Sequence, residues 1–119
     1  MQRSEDVIGL SLTPGEGAWL EAYRSSLRQR HPGSVVRMLV YGSKARGDAH
    51  PDSDLDVLII VRNDATHLKR ALRRVGYDLA ATSDAVPSIM AYTLDEWNER
   101  SARGYPFQCA VERDGVSVL

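Results

Sequence analysis

The sequence predicts an α/β fold, a small β-sheet with helices packed against it. Two observations carry this. Short β-rich runs at Val35–Tyr41 and Leu55–Val61 are followed by a segment of helical periodicity, and Thr-x-x-Glu capping boxes open helical stretches at residues 13 and 93. The 119 residues suit one domain over residues 1–119 and bury enough surface to fold without a metal or disulfide.

Residues 1–12 lack periodicity and are expected to be loosely held. Thr13-Pro14-Gly15-Glu16 then caps a helix with proline at its first position. Trp19, Ala22, Tyr23, Ser26 and Leu27 give that helix one core-facing side, and Pro32-Gly33 ends it. Val35–Tyr41 (VVRMLVY) reads as a strand stopped by Gly42. Leu55–Val61 (LDVLIIV) reads as a second strand, and its solid apolar stretch implies burial on both faces. Leu68, Ala71, Leu72, Val75 and Leu79 mark a second amphipathic helix, with Lys69, Arg70, Arg73 and Arg74 on its outer side. Val86–Tyr92 reads as a third strand whose proline favours an edge position. Thr93-Leu94-Asp95-Glu96 caps a helix running to about Arg103. Pro106 starts a last short helix that Gly115 ends.

Composition excludes several classes of protein. Fifteen basic against sixteen acidic side chains leave a net charge of -1, which argues against direct nucleic-acid binding through bulk electrostatics. The longest apolar run, Val57–Val61, is far too short to cross a bilayer. The polar start Met1–Asp6 has no apolar stretch behind it, and Cys109 has no disulfide or zinc partner. The expectation is a soluble protein of the reducing cytoplasm.

The chemistry is concentrated in residues 41–58. Gly42 and Ser43 follow a strand and begin a short helical segment. Glycine permits close backbone approach to a ligand, and free N–H groups with the Ser43 hydroxyl favour phosphate. Lys44 and Arg46 add positive charge, so Gly42, Ser43, Lys44 and Arg46 are the candidate nucleotide-binding residues. Asp54 and Asp56, two apart on a strand, project from the same side. Adjacent carboxylates raise each other's pKa, and a divalent cation removes the conflict, so this pair is the candidate metal and catalytic site. Two near misses are rejected. Gly42-x4-Gly47 continues as Asp48-Ala49, not the Lys-Ser/Thr of a P-loop. Asp52-x-Asp54-x-Asp56 lacks the glycine and final glutamate of an EF-hand.

Gly42-Ser43, ten residues, then Asp54-Leu55-Asp56 resembles the GS-x10-DxD signature of the minimal nucleotidyltransferases of the DNA polymerase beta superfamily. The intervening text is close to the family's, and a weaker likeness extends over about residues 35–118. The resemblance implies a nucleotidyltransferase fold with a mixed sheet, Mg2+ or Mn2+ at Asp54 and Asp56, and ATP or another nucleotide as donor. It also implies an acceptor hydroxyl, plausibly on a partner protein, since many stand-alone members are antitoxins paired with a small helical ribonuclease of the HEPN class, and some transfer AMP to it. The alternative is a catalytically weak or inactive antitoxin that neutralises such a toxin by binding. One departure motivates it. The family often carries a third carboxylate on the strand beside the pair, and Val86–Tyr92 contains none. Asp84, just before that strand, suits an inward-reaching acid and a loop residue equally.

The remaining polar residues have plainer readings. Arg46 is as suited to pairing with Asp48 or Asp52 as to touching phosphate, and Asp48 is expected to brace the loop. His31, His50 and His67 lack ligand spacing and are expected to be exposed. The Lys69–Arg74 cluster reads as a solvated helix face, and Trp19, Trp97 and Cys109 as core.

Overall fold

A computed structural model describes residues 10–48, 50 and 52–119. The chain runs α1 (Pro14–Arg30), β1 (Val35–Tyr41), α2 (Ser43–Arg46), β2 (Leu55–Val61), α3 (Lys69–Ala80), β3 (Pro87–Thr93), α4 (Leu94–Ala102), α5 (Pro106–Asp114) and β4 (Val116–Ser117). The strands form one sheet in the order β3-β2-β1-β4. β1 is antiparallel to β2 and to β4, whereas β2 and β3 are parallel and joined through α3. The sheet is therefore mixed, with helices against it, as the sequence and its family resemblance predict.

Both capping boxes form reciprocally. Thr13 Oγ1 accepts from Glu16 N at 3.1 Å and Glu16 Oε1 accepts from Thr13 N at 2.9 Å; Thr93 and Glu96 repeat the pattern at 3.1 and 2.8 Å. Each satisfies donors that a helix start leaves without intrahelical partners.

Strand alternation sends side chains into two cores. Met38, Val40, Val57, Ile59, Val61 and Ile89 pack with Trp19, Leu20, Tyr23 and Leu27 of α1 and with Leu72 and Val75 of α3. Leu39, Leu58 and Ile60 face the other way, onto Trp97 of α4 and Val111 of α5. This is why β2 reads as unbroken apolar sequence from Val57 to Val61. α1 is locked to α3 by two buried bonds to backbone: Trp19 Nε1 donates to Gly76 O at 2.9 Å and Tyr23 Oη to Leu72 O at 2.8 Å. A Cβ on Gly76 would stand 2.5 Å from Ile89 Cδ1, so glycine there permits close helix–sheet contact.

β3 takes the edge position its proline predicts. Pro87 has no N–H to offer, Ile89 N donates to Tyr77 Oη at 2.9 Å, and Thr93 N is taken by Glu96. An added strand finds little to pair with on this edge.

Four local expectations need correction, and two short elements go beyond what the sequence predicts. Of the segment expected to be loose, residues 1–9 lie outside the described residues. Leu10 and Leu12, however, pack on the first core, and Ser11 N bonds Lys44 O at 2.9 Å. Cys109 is exposed, because α5 turns Gln108 and Val111 inward and leaves Cys109 on its outer side. His31 is half-buried where α1 ends, while His50 and His67 are exposed as expected. Lys69 leaves the outer face of α3 to pair with Glu96 at 2.6 Å. Asn63–Leu68 is a 3-10 turn that carries Ala65 into the core, and Val116–Ser117 is a fourth strand.

Glu112 ties three elements together on the second face. It accepts from Arg37 at 3.0 and 3.1 Å and from Trp97 Nε1 at 2.7 Å, and these bonds, Arg37's first, hold its carboxyl below the ordinary glutamate range. A depressed native pKa contributes stability that is complete above the unfolded value, about 4.3, and is lost as pH falls through the native value. Glu112 is partly exposed, so the contribution is screened to about 1 kcal/mol or less. Glu112→Gln should lower the unfolding temperature near neutrality and flatten its decline on acidification, as thermal scans between about pH 3 and 6 will show.

Candidate functional site

The site lies where β1 ends and β2 begins. In the antiparallel register Tyr41 pairs with Asp56, so the chain leaving β1 at Gly42 passes beside that carboxylate. Asp56 shares a face with Leu58 and Ile60, on the α4/α5 side of the sheet. Gly42 has φ +73° and ψ −153°, a conformation essentially reserved for glycine. A Cβ on it would lie 2.4 Å from Asp56 Oδ2. The carboxylate therefore rests directly on the glycine, in space any other residue would fill.

Ser43 opens α2 and is half-buried. Gly42 O accepts from Ala45 N at 3.1 Å and Arg46 N at 3.0 Å, and Ser43 O accepts from Gly47 N at 3.0 Å and Asp48 N at 3.2 Å. The N–H groups of Ser43 and Lys44 belong to the first turn, beyond the reach of an intrahelical acceptor. The loop then folds back, with Ser53 N bonded to His50 O and His50 N to Ser53 Oγ, each at 3.0 Å.

Asp54 sits one residue before β2 and is exposed, a step outside the strand that the sequence predicts for it. The structure brings the two acids together electrostatically. Burial, then the charge of Asp54, raises the Asp56 carboxyl above its ordinary range, and Arg46 partly offsets this. Tyr41, across the ladder from Asp56, has its phenol pushed up to about 12 by burial and next by that carboxylate. It is a neutral O–H near pH 7, and its ring meets Phe107 edge-on at 5.5 Å.

The basic residues divide. Arg46 is exposed and pairs with Asp48 at 3.3 Å, so it braces the loop while its charge still acts on Asp56. Lys44 departs from the expectation of a phosphate contact. Its side chain is 2% exposed and its Nζ lies 3.1 Å from Glu16 Oε1, on the side facing α1. A lysine placed there has its charge already engaged.

Among the described residues a third carboxylate does not join the pair. Asp84 is an exposed loop residue whose Cβ lies 3.3 Å from where a Cβ on Gly15 would stand, against the start of α1. Among the described residues no group of three or more His, Cys, Asp or Glu side chains is arranged to hold a metal. The parallel register pairs Asp56 with Ser88, so a half-buried serine occupies the neighbouring position on β3. Ser88, Tyr41 and Glu16 escape sequence reasoning, since each becomes a neighbour of the site only through pairing or packing. Tyr41's place directly before Gly42 is the one signal that could have raised it.

A strand thus ends in Gly-Ser on a helix-flanked mixed sheet, with Asp56 laid back over the glycine and Asp54 exposed beside it. Residues 20–103 match the profile of the nucleotidyltransferase domain. That span is more than half of the chain and contains the turn and both acids, and the protein belongs to this family. Nucleotidyl transfer is accordingly its general class of activity. No curated protein matches the chain. Among solved structures, a Sulfolobus solfataricus protein provisionally described as a nucleotidyltransferase is similar over 90% of this chain and 87% of its own, at 14% identity and a TM-score of 0.46. A likeness that loose adds nothing to the assignment. No helix among the described residues is long and apolar enough to cross a membrane.

The contact between Gly42 and Asp56 makes a sharp forecast. Gly42→Ala places a methyl group against the carboxylate and forces a left-handed backbone on alanine. It should cost about 1–3 kcal/mol in stability and displace Asp56. Denaturant melts and the amide spectrum around residues 54–57 will report both effects.

Proposed function

We propose that the protein transfers AMP from ATP to a hydroxyl presented by a partner protein. The observation that carries this reading is the seating of Asp56 on Gly42, which unites the seryl turn and the acid pair in one site. Ser43 and the free N–H groups beside it suit the terminal phosphates, and Arg46 supplies positive charge at the same rim.

The acid pair fits a magnesium or manganese ion. Asp56 is half-buried beside a second carboxylate and carries an electrostatic conflict that a cation relieves. Magnesium takes one or two carboxylates with substrate phosphates, so Asp54 and Asp56 would hold it without a third acid. Once bound, the ion would neutralise charge developing on the phosphate oxygens. The chain's own part is to orient the triphosphate against the turn, beside the half-buried Asp56. The acceptor oxygen bonds the α-phosphorus as the α–β anhydride bond breaks and pyrophosphate leaves. The hydroxyl proton passes to a carboxylate or to solvent. The family resemblance points to a protein acceptor, a HEPN-class ribonuclease in a toxin–antitoxin system.

Incubation with labelled ATP, magnesium and the protein encoded beside it tests the proposal. Label should pass to the partner, and the Asp54→Asn/Asp56→Asn double variant should lower transfer by at least about a hundredfold. Transfer that survives the double variant rules the assignment out.

Ser88 favours a second reading, that of an antitoxin acting by contact alone. With serine where a third acid would stand, no third carboxylate among the described residues is at hand to deprotonate the acceptor. Under this reading the double Asn variant still binds and protects. Ser88→Asp separates the two. If proton removal limits transfer, a carboxylate at this position should raise the rate by about a hundredfold. A purely binding module gains nothing.

A further inference from the structure

Glu16 and Lys44 are the only buried charged side chains among the described residues. Their exposures are 6% and 2%, and one oxygen, Glu16 Oε1, receives both Lys44 Nζ at 3.1 Å and Thr13 N at 2.9 Å. Taking two charges from water costs about as much as their attraction returns, so stability alone does not account for such a pair. Its place in the fold does.

Lys44 directly follows the Gly42-Ser43 turn. Its backbone is also held, since Lys44 O accepts from Ser11 N at 2.9 Å. α2 has four residues, a single turn, and a helix that short does not sustain itself. Gly42 moreover sits in a backbone region that persists only when its surroundings over-determine it. The restraint comes from behind. The capping box of α1 fixes Glu16, Glu16 fixes Lys44, and Lys44 fixes the turn against which Asp56 rests.

We propose that Glu16 and Lys44 are positioning residues: without touching the nucleotide, their buried pair holds the Gly42-Ser43 turn in its binding geometry. This rests on the reading of the turn as the donor site. It gives the lysine beside the seryl turn a task other than phosphate contact, and it makes the start of α1 part of the active-site architecture.

The test compares Mg-ATP binding, by calorimetry and by amide shifts of residues 42–46, in the wild type and in Glu16→Gln/Lys44→Met. Both charges vanish while length is kept, so no lone buried charge remains and the unfolding temperature should stay within a few degrees. Affinity should fall about tenfold or more, with the amides of Gly42 and Ser43 shifted and the Trp97 indole unmoved. A folded double variant with wild-type affinity overturns the proposal. If the wild type itself shows no Mg-ATP response at Gly42 and Ser43, the donor-site reading fails, and the positioning role fails with it. Should the double variant not fold, Lys44→Met alone decides. It removes the cation while Glu16 keeps its capping bond from Thr13 N at the start of α1, and it should weaken binding by about threefold or more. Unchanged affinity there overturns the proposal equally.

Discussion

The antiparallel pairing of β1 with β2 is the constraint on which the site depends. Because side chains alternate along a strand, a slip of one residue would carry Asp56 from the α4/α5 side of the sheet into the core beneath α1 and α3. Register is held by burial on both faces at once. Val57 and Ile59 are fully buried against one helical layer, and Leu58 and Ile60 against the other. Either set alone would resist the slip, and together they leave one register compatible with a filled core. The acid is positioned by its neighbours' insolubility in water.

The parallel pairing on the other side of β2 has a different consequence. It aligns β3 residue by residue with β2, so whatever stands at position 88 becomes Asp56's lateral neighbour. A serine there adds no carboxylate to the pair, in which Asp54 is exposed and Asp56 is half-buried with a raised pKa. Burial and like charge favour the neutral form of Asp56, while a bound cation would favour the charged one. The site is therefore more sensitive to what occupies it than its modest depth implies. Arg46, paired with Asp48 at the rim, partly offsets the rise in the Asp56 pKa.

Much of this was legible in the chain itself. β1 and β2 have the limits their apolar runs predict, because a strand buried on both faces leaves an unmistakable composition. The capping boxes at Thr13 and Thr93 announce their helices, since each is a local exchange of hydrogen bonds over four residues. Val116–Ser117 escaped notice because two residues cannot display a period, and it is a strand only through pairing with Leu39 and Val40. Cys109 was misplaced because the phase of α5 depends on where Phe107 and Val111 meet the sheet. Lys44 was misplaced for a similar reason: sequence shows a cation beside a turn, and only the packing of α1 shows Glu16 waiting behind it.

The sequence by itself determined the elements, the two-sided burial of the central strand, and the residue types at the turn and the acid pair. These follow from interactions spanning a few residues, which composition and spacing record. Tertiary structure alone decided which lysine face is buried, which residue flanks Asp56, and that Gly42's missing side chain makes room for a carboxylate fourteen positions further on. Those facts depend on contacts between segments distant in the chain, and no local rule encodes the register or packing that creates them.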